Sequence, residues 1–326
     1  MTSFLDELLD AGRCRIEVPE PVLSEARRRR EQIVVALRDA FPGCEIYFNG
    51  SVAHGDATHP LADIDVGVIL SELAADGYGP NGQGPLPLME DAREAIREHL
   101  KGDYDNLAVT VAGQRRAVLV RFGEPVTDGE PDFTCDVIVA LRHPQQGLWI
   151  PNTEIAAGWD QADPVEHTRL IHQAIENTDV VFARVVRLLK QWRDRHSDPL
   201  CSWNIKALAL ACITAPMALT AGLQVFFDHA ARDLAARYTP DPAGVAGPVE
   251  PNLDRDRAVT RLRRARDTMN EALTHLEAGR TASAQQKLHS LLPDVVDAPD
   301  ERDVLREASR SAGAARTASP TRAWAP

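Results

Sequence analysis

The chain has 326 residues, of which 44% are hydrophobic and 26% charged, and its formal net charge is −12. This length suggests about two domains, and the acidic balance argues against a nucleic acid as the main ligand, since nucleic-acid-binding domains usually carry a basic face. The five cysteines have no CxxC spacing, so they predict neither a disulfide framework nor a zinc site and favour a reducing compartment.

The N-terminal sequence MTSFLDELLD carries acidic residues where a signal peptide needs basic ones. The longest apolar stretch, ALALACITAPMALTAGL, is rich in alanine and contains a proline, which favours a buried helix over a membrane span. We therefore expect a cytoplasmic protein without a membrane partner.

The first part of the chain alternates helical and strand patterns. A helix is predicted from Pro21 to Phe41, a strand at EIYF, and a second strand at DIDVGVIL, from Asp63 to Leu70. The segment MEDAREAIREHL predicts an amphipathic helix, NLAVTVAG and RRAVLVRF predict a hairpin, and DFTCDVIVAL predicts a further strand. These elements indicate a lobe with a mixed β-sheet over residues 1–150.

After IPN the signals become helical. An apolar stripe at helical spacing runs from Val181 to Trp192, and WNIKALALACI begins another helix. TPDPAGVAGPVEPN is rich in proline and glycine and predicts a loop, whereas RAVTRLRRARDTMNEALTHLEAG and ASAQQKLHSLL predict a terminal helix pair. We predict a helical lobe over residues 151–297 and, from its Ala, Arg, Ser and Pro content, a disordered tail over residues 298–326.

Two aspartates one residue apart, Asp63 and Asp65, lie in an otherwise apolar strand. Strand side chains alternate between faces, so both carboxylates point the same way, and Asp136 on a later strand can supply a third. Neighbouring carboxylates repel each other unless a cation lies between them, and oxygen ligands suit Mg²⁺. Three acids on two strands predict a two-metal site for phosphoryl or nucleotidyl displacement.

Gly50 and Ser51 follow the strand EIYF and precede the acid pair by a loop. A glycine lets the backbone approach a phosphate closely, and the serine hydroxyl and backbone N–H groups can bind phosphate oxygens. Each feature alone has a simpler explanation, because acid-x-acid triplets are common and Asp63 could cap a turn. The prediction of a phosphate and metal site rests on the order of these features along the chain: a strand, the Gly-Ser turn, a loop, the acid pair and a distant acid.

GSVAHGDATHPLADIDVGVIL resembles the signature of the polymerase-β-like nucleotidyltransferase superfamily, and within it the bacterial CD-NTases, relatives of cyclic GMP-AMP synthase and oligoadenylate synthetase. FTCDVIVALRHPQQGLWIPN looks like the third-acid strand of CD-NTases, and GWDQADPVEHTRLIHQAIENT is similar to their Trp-to-His segment. VVRLLKQWRD and LCSWNIKALAL resemble the helix pair that brings a lysine and a serine to the donor triphosphate. The resemblance covers residues 20–293 approximately.

This resemblance implies an α+β, bilobed fold in which a helical lobe closes over the nucleotide cleft of the catalytic lobe. It implies that the Gly-Ser turn, Lys190 and Ser202 hold the donor triphosphate. It also implies that the three aspartates bind two Mg²⁺ ions, with Mn²⁺ as an alternative, and that Asp136 helps to deprotonate the attacking ribose hydroxyl. The implied reaction joins NTPs such as ATP and GTP into a cyclic di- or trinucleotide, which a separate effector protein reads in anti-phage defence of the CBASS type.

Four positions test this resemblance. Lys190 lies on the helix side opposite the apolar stripe, so its ammonium is expected to face water or a cleft, and a plain solvated lysine is the alternative. Ser202 lies near a helix start and could instead be an N-cap. Asp56 stands where the family often has threonine, and Lys206 stands where it frequently has an acid. An acid near the triphosphate could weaken donor binding, unless it points away.

Three alternatives remain open. An RNA-end nucleotidyltransferase or linear oligonucleotide synthase uses the same kind of site, although the acidic balance argues against an RNA groove. A small-molecule or toxin–antitoxin nucleotidyltransferase would have a shorter chain or lack the second helix pair. An inactive nucleotide-binding scaffold would have no use for three clustered acids. Trp159, Trp192 and Trp203 could stack on a base, but large aromatics at helical positions are usually core.

Overall fold

The computed structural model describes residues 3–317, with side chains described to residue 310. The helices are α1 (Phe4–Arg13), α2 (Glu20–Ala40), α3 (Gly50–Ala53), α4 (Glu72–Ala75), α5 (Pro85–Leu100), α6 (Pro164–Asn177), α7 (Val181–Arg195), α8 (Ser202–Leu210), α9 (Leu219–Ala236), α10 (Arg255–Glu277), α11 (Thr281–Leu291) and α12 (Glu301–Thr317). The strands are β1 (Glu45–Asn49), β2 (Asp63–Ile69), β3 (Ala108–Thr110), β4 (Val118–Arg121), β5 (Thr134–Arg142), β6 (Leu148–Pro151) and β7 (Trp159–Ala162).

The strands form one seven-stranded sheet with the order β1-β2-β5-β4-β3, in which β6 pairs with β5 and β7 pairs with β6. β2 and β5 are parallel, and the other neighbours are antiparallel. The mixed sheet confirms the predicted α+β class. β6 and β7 were not predicted as strands, since they are short, and the sheet therefore extends to Ala162, beyond the boundary predicted at residue 150.

One face of the sheet is covered by helices. Leu37 of α2 and Ile96 of α5 pack with Ile64, Val66 and Val137 in a single apolar cluster. Burying each such side chain stabilises the fold by about 1.5–3 kcal/mol. Because strand side chains alternate, this packing directs the intervening residues of β2 and β5, including the aspartates, to the opposite face.

A second apolar core joins the helices that follow the sheet. It includes Phe182 of α7, Phe226 of α9, Leu262 of α10 and Leu288 of α11. Leu5 of α1 is fully buried in the same core. The first helix thus packs with the helical lobe, although residues 1–150 were predicted to form the catalytic lobe. The residues that α1 contacts lie far along the chain, so a local sequence pattern does not identify them.

The longest apolar stretch of the sequence is divided between two helices. It ends α8, passes through an irregular connecting segment that contains Pro216, and begins α9. Proline lacks a backbone N–H and cannot continue a helix interior. Within residues 3–317, no helix is both long and apolar enough to cross a membrane.

The tail predicted to be disordered contains α12. The Glu307 carboxylate accepts hydrogen bonds from Ala282 N at 3.0 Å, Ser283 N at 2.8 Å and Ser283 Oγ at 2.7 Å. These bonds satisfy free N–H groups in the first turn of α11. Residues 301–317 of the predicted tail form a helix instead, because low apolar content does not reveal such a cap. Residues 298–300 have no regular secondary structure, and residues 318–326 lie outside the described residues.

Candidate active site

The three predicted acids meet where β2 and β5 run side by side. Asp65 is opposite Asp136 in the parallel register, and Asp63 lies on the same face of β2. Burial, together with the charges of Asp63 and Asp136, raises the pKa of Asp65 to about 7. Burial and the charge of Asp63 also raise the pKa of Asp136. The three carboxylates are therefore near enough to repel one another.

Nothing in the described part of the chain offsets this repulsion by direct contact. No described side chain donates a hydrogen bond to the three carboxylates or forms an ion pair with them. The same residues contain no group of three His, Cys, Asp or Glu side chains already arranged to hold a metal ion. Repelling, half-buried carboxylate oxygens nevertheless have the chemistry that Mg²⁺ requires.

Gly50 lies directly against the acids at the start of α3. Its φ of 76° is a left-handed conformation that favours glycine. A Cβ atom on this residue would lie 1.6 Å from Oδ2 of Asp65, so any larger residue would displace that carboxylate. Ser51 follows, and both residues line the same cavity as Asp65. The Gly-Ser turn and the acids thus form one wall.

This cavity, of about 1000 Å³, lies between the sheet and the helices. Its sheet side carries Asp63 and Asp65, and its helical side carries Lys190, Ser202 and Lys206. Asp136 is not among the described residues that line it. The volume is at the upper end of the usual range for ligand sites, about 300–1,000 Å³.

Lys190 lines the cavity, where its ammonium is paired with a buried acid. Only 5% of the residue is exposed, and its Nζ donates hydrogen bonds to the main-chain O of Asp56 at 2.9 Å and to Asp56 Oδ1 at 3.0 Å. Of the two predicted surroundings, bulk water or a cleft, the structure shows a cleft, in which the ammonium contacts the buried Asp56 beneath α7. These two residues are 134 positions apart, so helical spacing alone could not reveal the contact.

Lys206 completes a buried cluster around Asp56. Its Nζ lies 2.9 Å from Asp56 Oδ2, an ion-pair contact without hydrogen-bond geometry, and 2.8 Å from His54 Nδ1. Burial, followed by the charge of Lys206, lowers the pKa of His54 to about 3. The ring is therefore neutral, so Nδ1 accepts a hydrogen bond from the ammonium, and Nε2 bonds to the Thr168 hydroxyl at 3.0 Å.

The carboxylate of Asp56 is fully buried. Burial alone would raise its pKa, but the charges of Lys206 and Lys190 outweigh burial and lower it. The two positions that depart from the family pattern, an acid at Asp56 and a lysine at Lys206, are thus partners of each other. Asp56 points away from the cavity toward the lysines.

Ser202 is the first residue of α8, and its Oγ accepts a hydrogen bond from Arg193. Its interpretation as an N-cap is wrong, because Cys201 occupies that position and its Sγ accepts from Asn204 N at 3.3 Å. Arg193 also lines the cavity, although it was not among the predicted site residues. Its spacing of three from Lys190, which places both on one face of α7, was the available signal.

The loop rich in proline and glycine forms a further wall, where Val245 to Pro251 line the cavity. Asp241 fixes this loop by accepting hydrogen bonds from Val245 N at 3.1 Å and Ala246 N at 3.0 Å. It also contacts His167 Nε2 at 2.6 Å. Burial alone would raise the pKa of Asp241, but these hydrogen bonds lower it to about 2. No sequence pattern pointed to this pair.

One of the three tryptophans considered as base-stacking residues lines the cavity. Trp159 and Trp192 are 3% and 1% exposed and belong to the apolar cores. Trp203 lines the cavity, and its ring lies 4.4 Å, centroid to centroid, from that of His167. The cavity therefore has an aromatic surface beside Ser202.

Solved CD-NTases share this fold. The chain is similar to the Bradyrhizobium diazoefficiens CD-NTase CdnG in complex with GTP, with a TM-score of 0.65 and 16% identity over 94% of this chain and 99% of that one. It is similar to CdnC of E. coli MS115-1 with ATP, with a TM-score of 0.61 and 17% identity over 86% and 95% of the two chains.

A third similar structure is the Vibrio cholerae DncV cyclic AMP-GMP synthase in complex with the linear intermediate 5′ pppA(3′,5′)pG. Its TM-score is 0.56, with 16% identity over 79% of this chain and 71% of that one. No protein-family model matches the sequence, and no curated protein matches it. These similarities confirm the predicted fold, which is that of the CD-NTases.

Proposed function

We propose that this chain, whose fold is that of the CD-NTases, is a nucleotidyltransferase that joins NTPs into a cyclic di- or trinucleotide. The observation that carries the proposal is the meeting of two walls at one cavity. Asp63, Asp65 and the Gly50–Ser51 turn lie on one wall, and Lys190 and Ser202 lie on the other. A reaction that transfers a nucleotidyl group between anionic substrates needs carboxylates that can bind metal ions and groups that can bind the triphosphate.

The donor triphosphate lies, in this proposal, between the Gly50–Ser51 turn and the start of α8. Lys190 and the hydroxyl of Ser202 bind its β- and γ-phosphates, since hydrogen bonds between an ammonium and phosphate oxygens are among the strong ones in proteins. Arg193, which donates to Ser202, adds a guanidinium suited to phosphate. Positioning by these groups keeps the α-phosphate in line with the attacking hydroxyl.

The carboxylates of Asp63, Asp65 and Asp136 hold two Mg²⁺ ions in this proposal, with Mn²⁺ as an alternative. When bound, the ions neutralise charge on the reacting phosphate and on the leaving pyrophosphate. Asp136, beside Asp65 on the neighbouring strand, accepts the proton of the attacking ribose hydroxyl. The remaining catalysis comes from orientation and electrostatic stabilisation.

Trp203 and the wall from Val245 to Pro251 are the surfaces that contact the bases. ATP and GTP are the first substrates to test, since similar structures hold GTP and ATP. The cysteine pattern and the N-terminal sequence favour a cytoplasmic enzyme. The family resemblance further suggests that its product is read by a separate effector protein in anti-phage defence.

The experiment incubates purified protein with the four labelled NTPs and Mg²⁺ or Mn²⁺, followed by phosphatase. A phosphatase-resistant product is expected, and it should be absent from the variant Asp63→Ala with Asp65→Ala. Asp128→Ala, which removes an exposed loop acid, is the matched control. Extension of added RNA would favour an end transferase, and no product with any NTP and either metal would favour an inactive scaffold.

A further inference from the structure

The cluster around Asp56 contains more positive than negative charge. Asp56 supplies one carboxylate, Lys190 and Lys206 supply two ammonium groups, and His54 is neutral. Both lysines are nearly inaccessible, with 5% and 4% exposure. Across the cavity, both lysines act on the charge of Asp65. One ammonium charge is therefore left over beside the cavity.

The two lysines use different oxygens of the same carboxylate. Lys190 binds Oδ1, and Lys206 lies next to Oδ2. Lys206 is held on its other side by the ring of His54, which the Thr168 hydroxyl fixes in turn. Lys206 is thus anchored independently of Lys190, and it would remain beside Asp56 if Lys190 moved.

This arrangement matters for phosphate binding. With Lys190 as its sole partner, a buried Asp56 would lose its counter-charge whenever that ammonium turned to a ligand, and an uncompensated buried charge is costly. With Lys206 on the second oxygen, Asp56 stays compensated throughout. We propose that Lys206 is a positioning residue that neutralises Asp56 and thereby leaves Lys190 able to bind the donor triphosphate. This inference rests on the proposed function of the cavity.

Asp56 also connects the cluster to the opposite wall. Its backbone N–H donates to Ser51 O at 3.1 Å, while Lys190 binds its main-chain O at 2.9 Å. Asp56, which contacts both lysines, is therefore also hydrogen-bonded to the Gly-Ser turn. If the carboxylate of Asp56 lost its positive partner, the resulting shift of Asp56 would therefore displace the Gly-Ser turn as well as Lys190.

The test measures binding of inorganic tripolyphosphate with Mg²⁺ by calorimetry, so that it does not depend on product formation. Lys206→Met should weaken binding by about tenfold or more, because Asp56 then competes with the phosphate for Lys190. Adding Asp56→Asn to Lys206→Met should restore binding to within about threefold of the wild type, since the lost ion pair leaves Lys190 free. Lys101→Met removes the same charge from an exposed site and should change nothing.

A purely structural Lys206 would give a different pattern. The proposal is overturned if Lys206→Met binds tripolyphosphate as the wild type does, or if the double variant binds as weakly as Lys206→Met. If Lys206→Met does not fold, the double variant is compared with the same variant carrying Lys190→Met. The added change should then weaken binding about tenfold or more, and equal binding contradicts the proposal.

Failure of the proposed function has a separate signature. A wild-type protein that does not bind tripolyphosphate would refute the donor site and, with it, this inference. A wild type that binds, together with an unaffected Lys206→Met variant, would refute the inference alone.

Discussion

Two charged clusters face one cavity from opposite walls, and they differ in how their charges are balanced. On the sheet, no described cationic side chain forms a hydrogen bond or ion pair with Asp63, Asp65 or Asp136. Beneath the helices, each carboxylate oxygen of Asp56 lies within 3.0 Å of an ammonium nitrogen. The acids on the sheet need a positive charge from outside the chain, whereas the carboxylate of Asp56 is neutralised by two lysines of the chain itself.

The pKa values of two aspartates follow this difference. Burial and two neighbouring carboxylates raise the pKa of Asp65 to about 7. Burial acts in the same direction on Asp56, but two ammonium groups outweigh it and lower the pKa. The charges next to each aspartate therefore distinguish the two: Asp65 still needs a cation, whereas Asp56 is already neutralised by lysines and has a structural role.

The largest effect is expected from removing the unbalanced carboxylates. Asp63→Asn with Asp65→Asn should lower the rate of product formation from NTPs by at least about 10³-fold, since the metal ligands are lost. The measurement is the amount of labelled phosphatase-resistant product with time. Asp128→Asn, on an exposed loop, should keep wild-type activity, and activity within tenfold of wild type in the double variant would exclude the acids from catalysis.

Removing the carboxylate of the Asp56 cluster should lower the stability of the fold. Asp56→Asn leaves two ammonium groups in a buried site without a counter-charge, and we expect the free energy of unfolding to fall by about 3 kcal/mol. Urea denaturation followed by circular dichroism measures the change. Asp10→Asn, which breaks an exposed ion pair, should cost less than about 1 kcal/mol. Equal losses in the two variants would show that the ion cluster contributes no more than a surface pair.

The sequence predicted these two clusters unequally. The position of Asp63 and Asp65 follows from strand alternation, and the Asp136 strand was recognisable from its apolar neighbours. Parallel pairing of β2 with β5 then brings Asp65 opposite Asp136. Local periodicity and the order of the motifs were enough to predict the acids on the sheet, because the strand that carries each acid determines the face to which its side chain points.

The other wall depends on contacts that no local pattern contains. Lys190 meets Asp56 across 134 residues, and Lys206 meets His54 across 152. Asp56 and Lys206 each departed from the family pattern, and only the fold reveals that the departures are paired. Likewise, an N-cap was the alternative to triphosphate binding for Ser202, but the cap is the preceding Cys201, a one-residue difference that sequence signals do not settle.

A third prediction concerns the cost of the unbalanced acids. Because the folded pKa of Asp65 lies near 7, above that of an unfolded aspartate, its ionisation destabilises the folded state as the pH rises from about 4 to 7. Asp65→Asn should therefore stabilise the metal-free protein by about 2 kcal/mol at pH 8, since part of the repulsion is relieved by solvent. The gain should be smaller at pH 5.

Urea denaturation in the presence of a chelator at the two pH values measures this gain. Addition of Mg²⁺ should stabilise the wild type and reduce its difference from the variant, because a cation offsets the same repulsion. A gain that does not change between pH 5 and pH 8 would show that the effect is not electrostatic, and a loss of stability at pH 8 would contradict the prediction.

The smallest effect is expected at Ser202, which lies on the helical wall but outside the ion cluster. Ser202→Ala removes one neutral hydroxyl, so the KM for the donor NTP should rise by about fivefold, the equivalent of a single hydrogen bond. Stability should change by less than about 0.5 kcal/mol, because the N-cap of α8 belongs to Cys201. Cys201→Ala should cost about 1 kcal/mol in urea denaturation. If Ser202→Ala were the more destabilising of the two, the hydroxyl would serve the helix rather than the triphosphate, and the helical wall would bind its ligand through charge alone.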